Sequence, residues 1–130
     1  MATGFPASTG DILTAAAFNG LVTFQDTFTA QTADYTAVLA DAYQKVIYMD
    51  KATAVAVKIP TNASVAFPVG TVLNILNKGS GTVTISAVTS GTTTVISGGA
   101  VSASPTLGTA KMAACIKVAT DTWYVVGAIA

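Results

Sequence analysis

"SVAFPVGTVLNILNKGSGTVTISA", residues 64 to 87, carries one charged side chain, Lys78, and the charge-free run before it reaches back to just after Lys58. An uncharged stretch of that length matches a membrane span, about 20 residues. Residues 59 to 77 settle the reading. They run IPTNASVAFPVGTVLNILN, with Pro60, Asn62, Pro68, Gly70, Asn74 and Asn77 spread along them. A lipid-exposed helix must satisfy every backbone group within itself, and turn formers at this density prevent that. The stretch is read as two short strands separated by a Pro-Val-Gly corner.

Strand patterns extend on both sides. In AVAVKI, Val55, Val57 and Ile59 alternate with Ala54, Ala56 and Lys58, a period of two. In TVTISAV, Val83, Ile85 and Ala87 alternate with Thr82, Thr84 and Ser86. Gly79-Ser80-Gly81, between TVLNILNK and TVTISAV, reads as a hairpin loop. In KMAACIKV, Met112, Ala114, Ile116 and Val118 share one face, and Lys111, Ala113, Cys115 and Lys117 share the other. Thr120-Asp121-Thr122 then turns into WYVVG, KVIYMD and TTTVIS supply two more runs, and Gly98-Gly99 marks a turn. In TVLNILN, Val72, Asn74 and Leu76 lie on one face while Leu73 and Ile75 occupy the other. Both faces are largely apolar, so Val72 and Leu76 are expected to meet a neighbouring subunit. The fold class expected is all-β: a small antiparallel sandwich or barrel over residues 31–130, with some seven to nine short strands.

Residues 1–30 differ. In DILTAAAFNGLVTF, Thr14 is a good N-cap, Leu13 and Phe18 are spaced as a hydrophobic staple, and Gly20 is a stop. A short helix over about 15 to 19 is expected, preceded by an extended arm. Residues 25 to 34, QDTFTAQTAD, read as a linker. Phe5, Ile12, Leu13, Phe18 and Leu21 are the apolar residues that would anchor this arm to a partner.

The chain has 130 residues, of which 9% are charged, and its net charge is zero. Globular domains carry roughly 25% charged residues. Every acid is Asp and every base is Lys; Glu, Arg and His are absent. So weak a charge coat favours association, and a large part of the surface is expected to be buried in an assembly. Scattered Lys without Arg makes no basic stripe for nucleic acid. A single Cys, Cys115, allows no internal disulfide and suits a reducing cytoplasm. Without His there is no transition-metal cluster and no usual general base. No catalytic residue, cofactor site or metal site is expected. The N-terminus lacks the basic region of a signal peptide, since the first Lys is Lys45. Asn62-Ala63-Ser64 matches a glycosylation acceptor, but without a secretory context to use it. Tyr35, Tyr43, Tyr48, Trp123 and Tyr124 are candidates for a sugar-stacking platform, with Trp123 closing the barrel as the plainer role.

A valine-rich strand here runs into Pro60-x-Asn62-Ala-Ser64, then a Phe67-Pro68-x-Gly70-Thr71 corner, then Gly79-x-Gly81-x-Val83-x-Ile85. Lys117-x-x-x-Asp121-x-Trp123-x-x-x-Gly127 closes the series, and YTAVLADAYQKVIYMD leads in with Tyr35, Asp41 and Lys45. Together these resemble a small β module recurrent in virion proteins of tailed bacteriophages. GFPASTGDILTAAAFNGL resembles N-terminal segments of phage structural proteins. SGTTTVISGGAVSASP and the terminal GAIA fit the pattern loosely. The resemblance implies a virion structural protein, assembled in the host bacterial cytoplasm. The favoured role is a capsid decoration (cement) protein, a homo-oligomer and preferably a trimer. It would bind the major capsid protein or another virion protein, and neither nucleic acid nor membrane. The alternative is a tail-fibre or adaptor component that binds a receptor glycan.

Overall fold

The structure, a computed structural model, describes residues 29–42 and 46–130. The period-two stretches form the strands expected of them. Strand β4 (Val55–Ile59) buries Val55, Val57 and Ile59. Strand β5 (Val72–Asn77) buries Leu73, Ile75 and Asn77, and β6 (Val83–Ala87) buries Val83 and Ile85. Strand β3 (Val46–Met49) contributes Ile47 and Met49. Two-residue strands β1 (Ala30–Gln31) and β2 (Tyr35–Thr36) precede these, and a 3-10 turn spans Leu39–Ala42. After β6 come β7 (Thr94–Ser97), β8 (Ala100–Val101), β9 (Thr106–Leu107), β10 (Lys111–Ala119) and β11 (Thr122–Gly127).

These strands form two sheets. The larger has the order β1-β3-β5-β10-β11-β7-β8, and the smaller β2-β4-β6-β9. Their inward faces feed one core that includes Ile47, Met49, Val57, Ile75, Ile85, Val95, Trp123 and Val125. Each fully buried aliphatic side chain in such a core contributes about 1.5–3 kcal/mol. No helix among the described residues is long and apolar enough to cross a membrane.

The winding differs from the expected antiparallel arrangement. From β1 to β6 the chain changes sheet with every strand, and each strand lies parallel to the one two before it: β1 with β3, β3 with β5, β2 with β4, and β4 with β6. One full turn of a coil brings the chain back in its original direction, which makes the neighbours parallel. Antiparallel pairing holds for β5 with β10, β10 with β11, β6 with β9, and β7 with β8. Strand β7 joins β11 in parallel.

Three local expectations change with the winding. Gly79-Ser80-Gly81 is not a hairpin loop, because β5 and β6 lie in different sheets. It is a corner stacked on the preceding corner, residues 50–54: Gly79 N–H donates to Met49 O, Gly81 N–H to Lys51 O at 2.9 Å, and Val55 N–H to Thr82 O. Lys78 Nζ meets Asp50 Oδ2 at 2.8 Å across the same stack, and this exposed pair raises the Lys78 pKa, chiefly through the hydrogen bond. The stretch read as linker contains β1, whose Gln31 O accepts from Asp50 N–H. The lead-in YTAVLADAYQKVIYMD is not strand throughout, since Leu39–Ala42 turns around Asp41, whose Oδ2 accepts from Val38 N–H and Tyr35 Oη.

Two turns form as read. Ser97 pairs with Ala100 across Gly98-Gly99, whose φ values of 58° and 83° suit the two-residue hairpin that needs left-handed backbone at both positions. Ala119 pairs with Thr122 across Thr120-Asp121.

Candidate functional site

Among the described residues, two places gather chemically notable side chains: a buried polar node around Lys117, and the outer face of the larger sheet.

The node is built from segments far apart in the chain. Strand β10 places Ala113, Cys115 and Lys117 inward, and β11 places Trp123 and Val125 beside them, with Lys117 opposite Trp123 in register. Lys117 is only 2% exposed. Its ammonium donates to Asn62 Oδ1 at 2.6 Å and to Phe67 O at 2.7 Å, and lies 5.9 Å from the centroid of the Trp123 ring. Phe67 meets the same ring edge-on, with centroids 5.5 Å apart and planes at 89°. The segment that brings Asn62 and Phe67 here is the long β4–β5 connection. It is held by Gly70 N–H donating to Lys117 O and by Lys117 N–H donating to Thr71 O. Asp121, in left-handed backbone at φ 55°, accepts from Asn62 N–H at 2.7 Å and from the Thr93 hydroxyl at 3.2 Å, both on Oδ1. The quoted pieces Pro60 to Phe67 and Lys117 to Trp123 thus meet as one structural unit. Period-two reading located the strands but gave no sign that a lysine would be the inward residue.

Asn77, read from the sequence as one of the turn formers, is instead the buried last residue of β5. Its Nδ2 donates to Gly81 O and Leu107 O, tying a corner of the coil to β9, while its Oδ1 has no partner among the described residues.

Among the described residues the acidic side chains are dispersed. Asp34 accepts from Ala56 N–H, Asp41 from Tyr35 and Val38, and Asp50 pairs with Lys78. Among the described residues no group of three or more His, Cys, Asp or Glu is placed to hold a metal ion. Burial pushes the Tyr35 phenol pKa up, with the Asp41 hydrogen bond and charge adding to it. Cys115 is buried, and desolvation raises its thiol from 9.0 to about 12. The thiolate is the nucleophile, so at pH 8 native protein leaves Cys115 unalkylated by iodoacetamide, while denatured protein gains one adduct per chain by intact mass. The same shift sets a pH dependence. The folded state holds the thiol proton more tightly, so this contribution to stability is present below about pH 9 and is lost as pH rises toward 12.

Among the described residues the candidate aromatic side chains are divided: Tyr48 and Tyr124 lie on the outer face of the larger sheet, Trp123 in the core and Tyr35 in the smaller sheet. Trp123 is buried and its neighbour Tyr124 points outward, as alternation along β11 demands. Tyr35 sits in the smaller sheet, bonded to Asp41. Tyr43 lies outside the described residues.

The outer face of the larger sheet is uncharged across its central strands. Leu76 lies opposite Tyr48 on one side and Met112 on the other; Val72 opposite Ile116; Ile116 opposite Tyr124; Tyr124 opposite Ile96. Val72, Met112, Val118, Tyr124 and Val126 are exposed, and Leu76, Ile96, Ala114 and Ile116 are half-buried. The apolar side of β10 therefore faces out, while its Ala113, Cys115 and Lys117 side packs inward. Five adjacent strands, β3, β5, β10, β11 and β7, take part, about 20 Å across at the usual strand spacing. Val72 and Leu76, expected to meet a partner, both lie on this face. The arm residues Phe5, Ile12, Leu13, Phe18 and Leu21, and the expected short helix, lie outside the described residues. No family model, curated protein or solved structure matches the chain.

Proposed function

We propose that the chain is a virion structural protein of a tailed bacteriophage, a decoration protein that binds the capsid surface as a homo-oligomer, preferably a trimer. The observation that carries the reading is the uncharged outer face of the larger sheet. Apolar patches beyond a few hundred Å² on a protein surface mark interaction sites, and this one holds five exposed large hydrophobic residues on adjoining strands: Val72, Met112, Val118, Tyr124 and Val126. The resemblance of residues 35–127 to the virion β module supplies the setting.

In this reading the two sheets and their shared core are a β-sandwich body. One outer face packs against sister subunits, and the N-terminal residues Phe5, Ile12, Leu13, Phe18 and Leu21 engage the shell. The work is mechanical. Burial of about 800 Å² per partner makes a stable interface, and many symmetric copies add avidity. Clips of this kind oppose shell expansion under packed DNA without chemistry.

Two measurements test it. Sedimentation equilibrium gives an oligomer for the wild type and a monomer for the double variant Ile116→Lys/Val126→Lys, because two charges enter the buried face. Mixed with undecorated capsids, the wild type saturates at symmetric lattice points, and protein lacking Met1 to Gly20 stays unbound with its β body folded. A monodisperse wild-type monomer at high concentration overturns the assembly. Retention on host envelopes without shell binding overturns the decoration role in favour of a receptor-binding one.

A further inference from the structure

The Lys117–Asn62 contact has the composition and placement of a covalent cross-link. An amine and a side-chain amide stand within hydrogen-bonding distance, Nζ to Oδ1, at 2.6 Å. A carbonyl bond is about 1.2 Å long, so the amide carbon lies within about 3.8 Å of the nitrogen, close to the approach of about 3–3.5 Å at which held groups react. The amine is fixed from a second side by Phe67 O at 2.7 Å. The Trp123 and Phe67 rings wall the contact, and with Lys117 only 2% exposed, water has little access to it. Among the described residues no carboxylate lies within ion-pair distance of the lysine. The charged amine therefore has only neutral oxygens and a ring face to offset its desolvation. A carboxylate is nonetheless tethered to the same asparagine: Asp121 Oδ1 accepts Asn62 N–H at 2.7 Å, while its Oδ2 has no hydrogen bond among the described residues.

We infer that Lys117 and Asn62 condense spontaneously into an intramolecular isopeptide bond, with Asp121 as the proton carrier. The ammonium of Lys117 gives a proton to the Asp121 carboxylate through one bridging water. The freed amine pair attacks Asn62 Cγ, forming the Nζ–Cγ bond as the carbonyl pair moves onto Oδ1. The carbonyl re-forms, the Cγ–Nδ2 bond breaks, and the leaving nitrogen takes the proton held by Asp121 together with one from Nζ. The products are a secondary amide and ammonium, so atoms, charge and electrons balance with no external reagent. Rate comes from holding the reactants together, which stands in for a large effective concentration.

The bond would join positions 55 residues apart, the β4–β5 connection and strand β10. It would close a loop through both sheets, a cross-link that needs no oxidant and that reduction does not undo. Its existence is independent of the decoration role.

Intact-mass spectrometry of the purified full chain tests it. The expected wild-type mass is lower than the sequence mass by one ammonia. Trypsin is then blocked at Lys117 and yields a branched peptide joining residues 59–78 to residues 112–130, identified by fragmentation. Asn62→Ala and Lys117→Arg both keep the full mass and give linear peptides. Asn62→Asp, the closest in shape, gives the same branched peptide with loss of one water. Folded wild-type protein at its full sequence mass overturns the proposal. So does an ammonia loss that persists in Asn62→Ala or that fragmentation places elsewhere.

Discussion

Replacing Trp123 with alanine lowers the free energy of unfolding by about 3–5 kcal/mol, the range for a large aromatic truncated in a core. The indole is 1% exposed and sits where three elements meet. Strand β11 carries it, the β4–β5 connection lays Phe67 edge-on against it, and β10 places the Lys117 side-chain nitrogen over its face. Removing it opens a cavity, deprives Phe67 of an aromatic contact worth about 0.5–1.5 kcal/mol, and strips the packing from the Lys117 side chain. Domains of this size have about 5–15 kcal/mol in total, so the variant is near the edge of folding at 37 °C. Urea unfolding is the measurement: the midpoint falls while the slope with denaturant stays constant. Trp123→Phe keeps part of the ring and loses less. A midpoint for Trp123→Ala close to wild type would show that Trp123 is not a keystone of the core.

Gly81→Ala has the second large effect, with a different cause. A Cβ at position 81 would stand 2.0 Å from Thr53 O and 2.3 Å from Thr53 C. At position 79 it would stand 2.3 Å from both Lys51 N and Lys51 O. These obstacles are backbone, so no side chain can swing aside, and two stacked corners of the coil must separate. Their hydrogen bonds, Gly81 N–H to Lys51 O and Val55 N–H to Thr82 O, separate with them. Overpacking costs about 1–3 kcal/mol and sometimes more, and the broken backbone bonds place Gly81→Ala at the top of that range. Gly99→Ala is the control. It meets nothing within 4 Å at φ 83°, so only left-handed strain of about 1–2 kcal/mol applies. Equal thermal shifts for the two variants would refute the stacked-corner explanation.

The two glycines illustrate what was legible. GSG was visible as a punctuation mark between two apolar runs, and it does separate β5 from β6, though not as the hairpin it was read as. Its partner was not. A short Gly-rich connection serves equally a hairpin between neighbours in one sheet and a corner between two sheets. The choice depends on what the next strand hydrogen-bonds to, which the connection does not encode. Val83 to Ala87 pairs with Val55 to Ile59 rather than with Val72 to Asn77. The coil follows from that one pairing and its counterparts.

The candidate sites divide the same way. Val72 and Leu76 could be placed on one face by alternation alone, and they lie on the outer face of the larger sheet. Alternation sorted β10 into two faces as well, yet it held no information on which was inner. The apolar Met112, Ile116 and Val118 point outward because Lys117 finds acceptors inside, at Asn62 and Phe67. Those acceptors arrive from a loop 50 or more residues away, and no local rule connects them.

The sequence by itself determined that residues 31–130 are largely β-structure with alternating faces, and that only 9% of the chain is charged. Both are properties of side-chain order and composition, carried by every short window. Tertiary structure alone decided parallel winding, the inward lysine and the assembly of Asn62, Phe67, Asp121 and Trp123 around it. Each of these depends on contacts between distant segments, where satisfying a buried polar group outweighs the preference of any single strand.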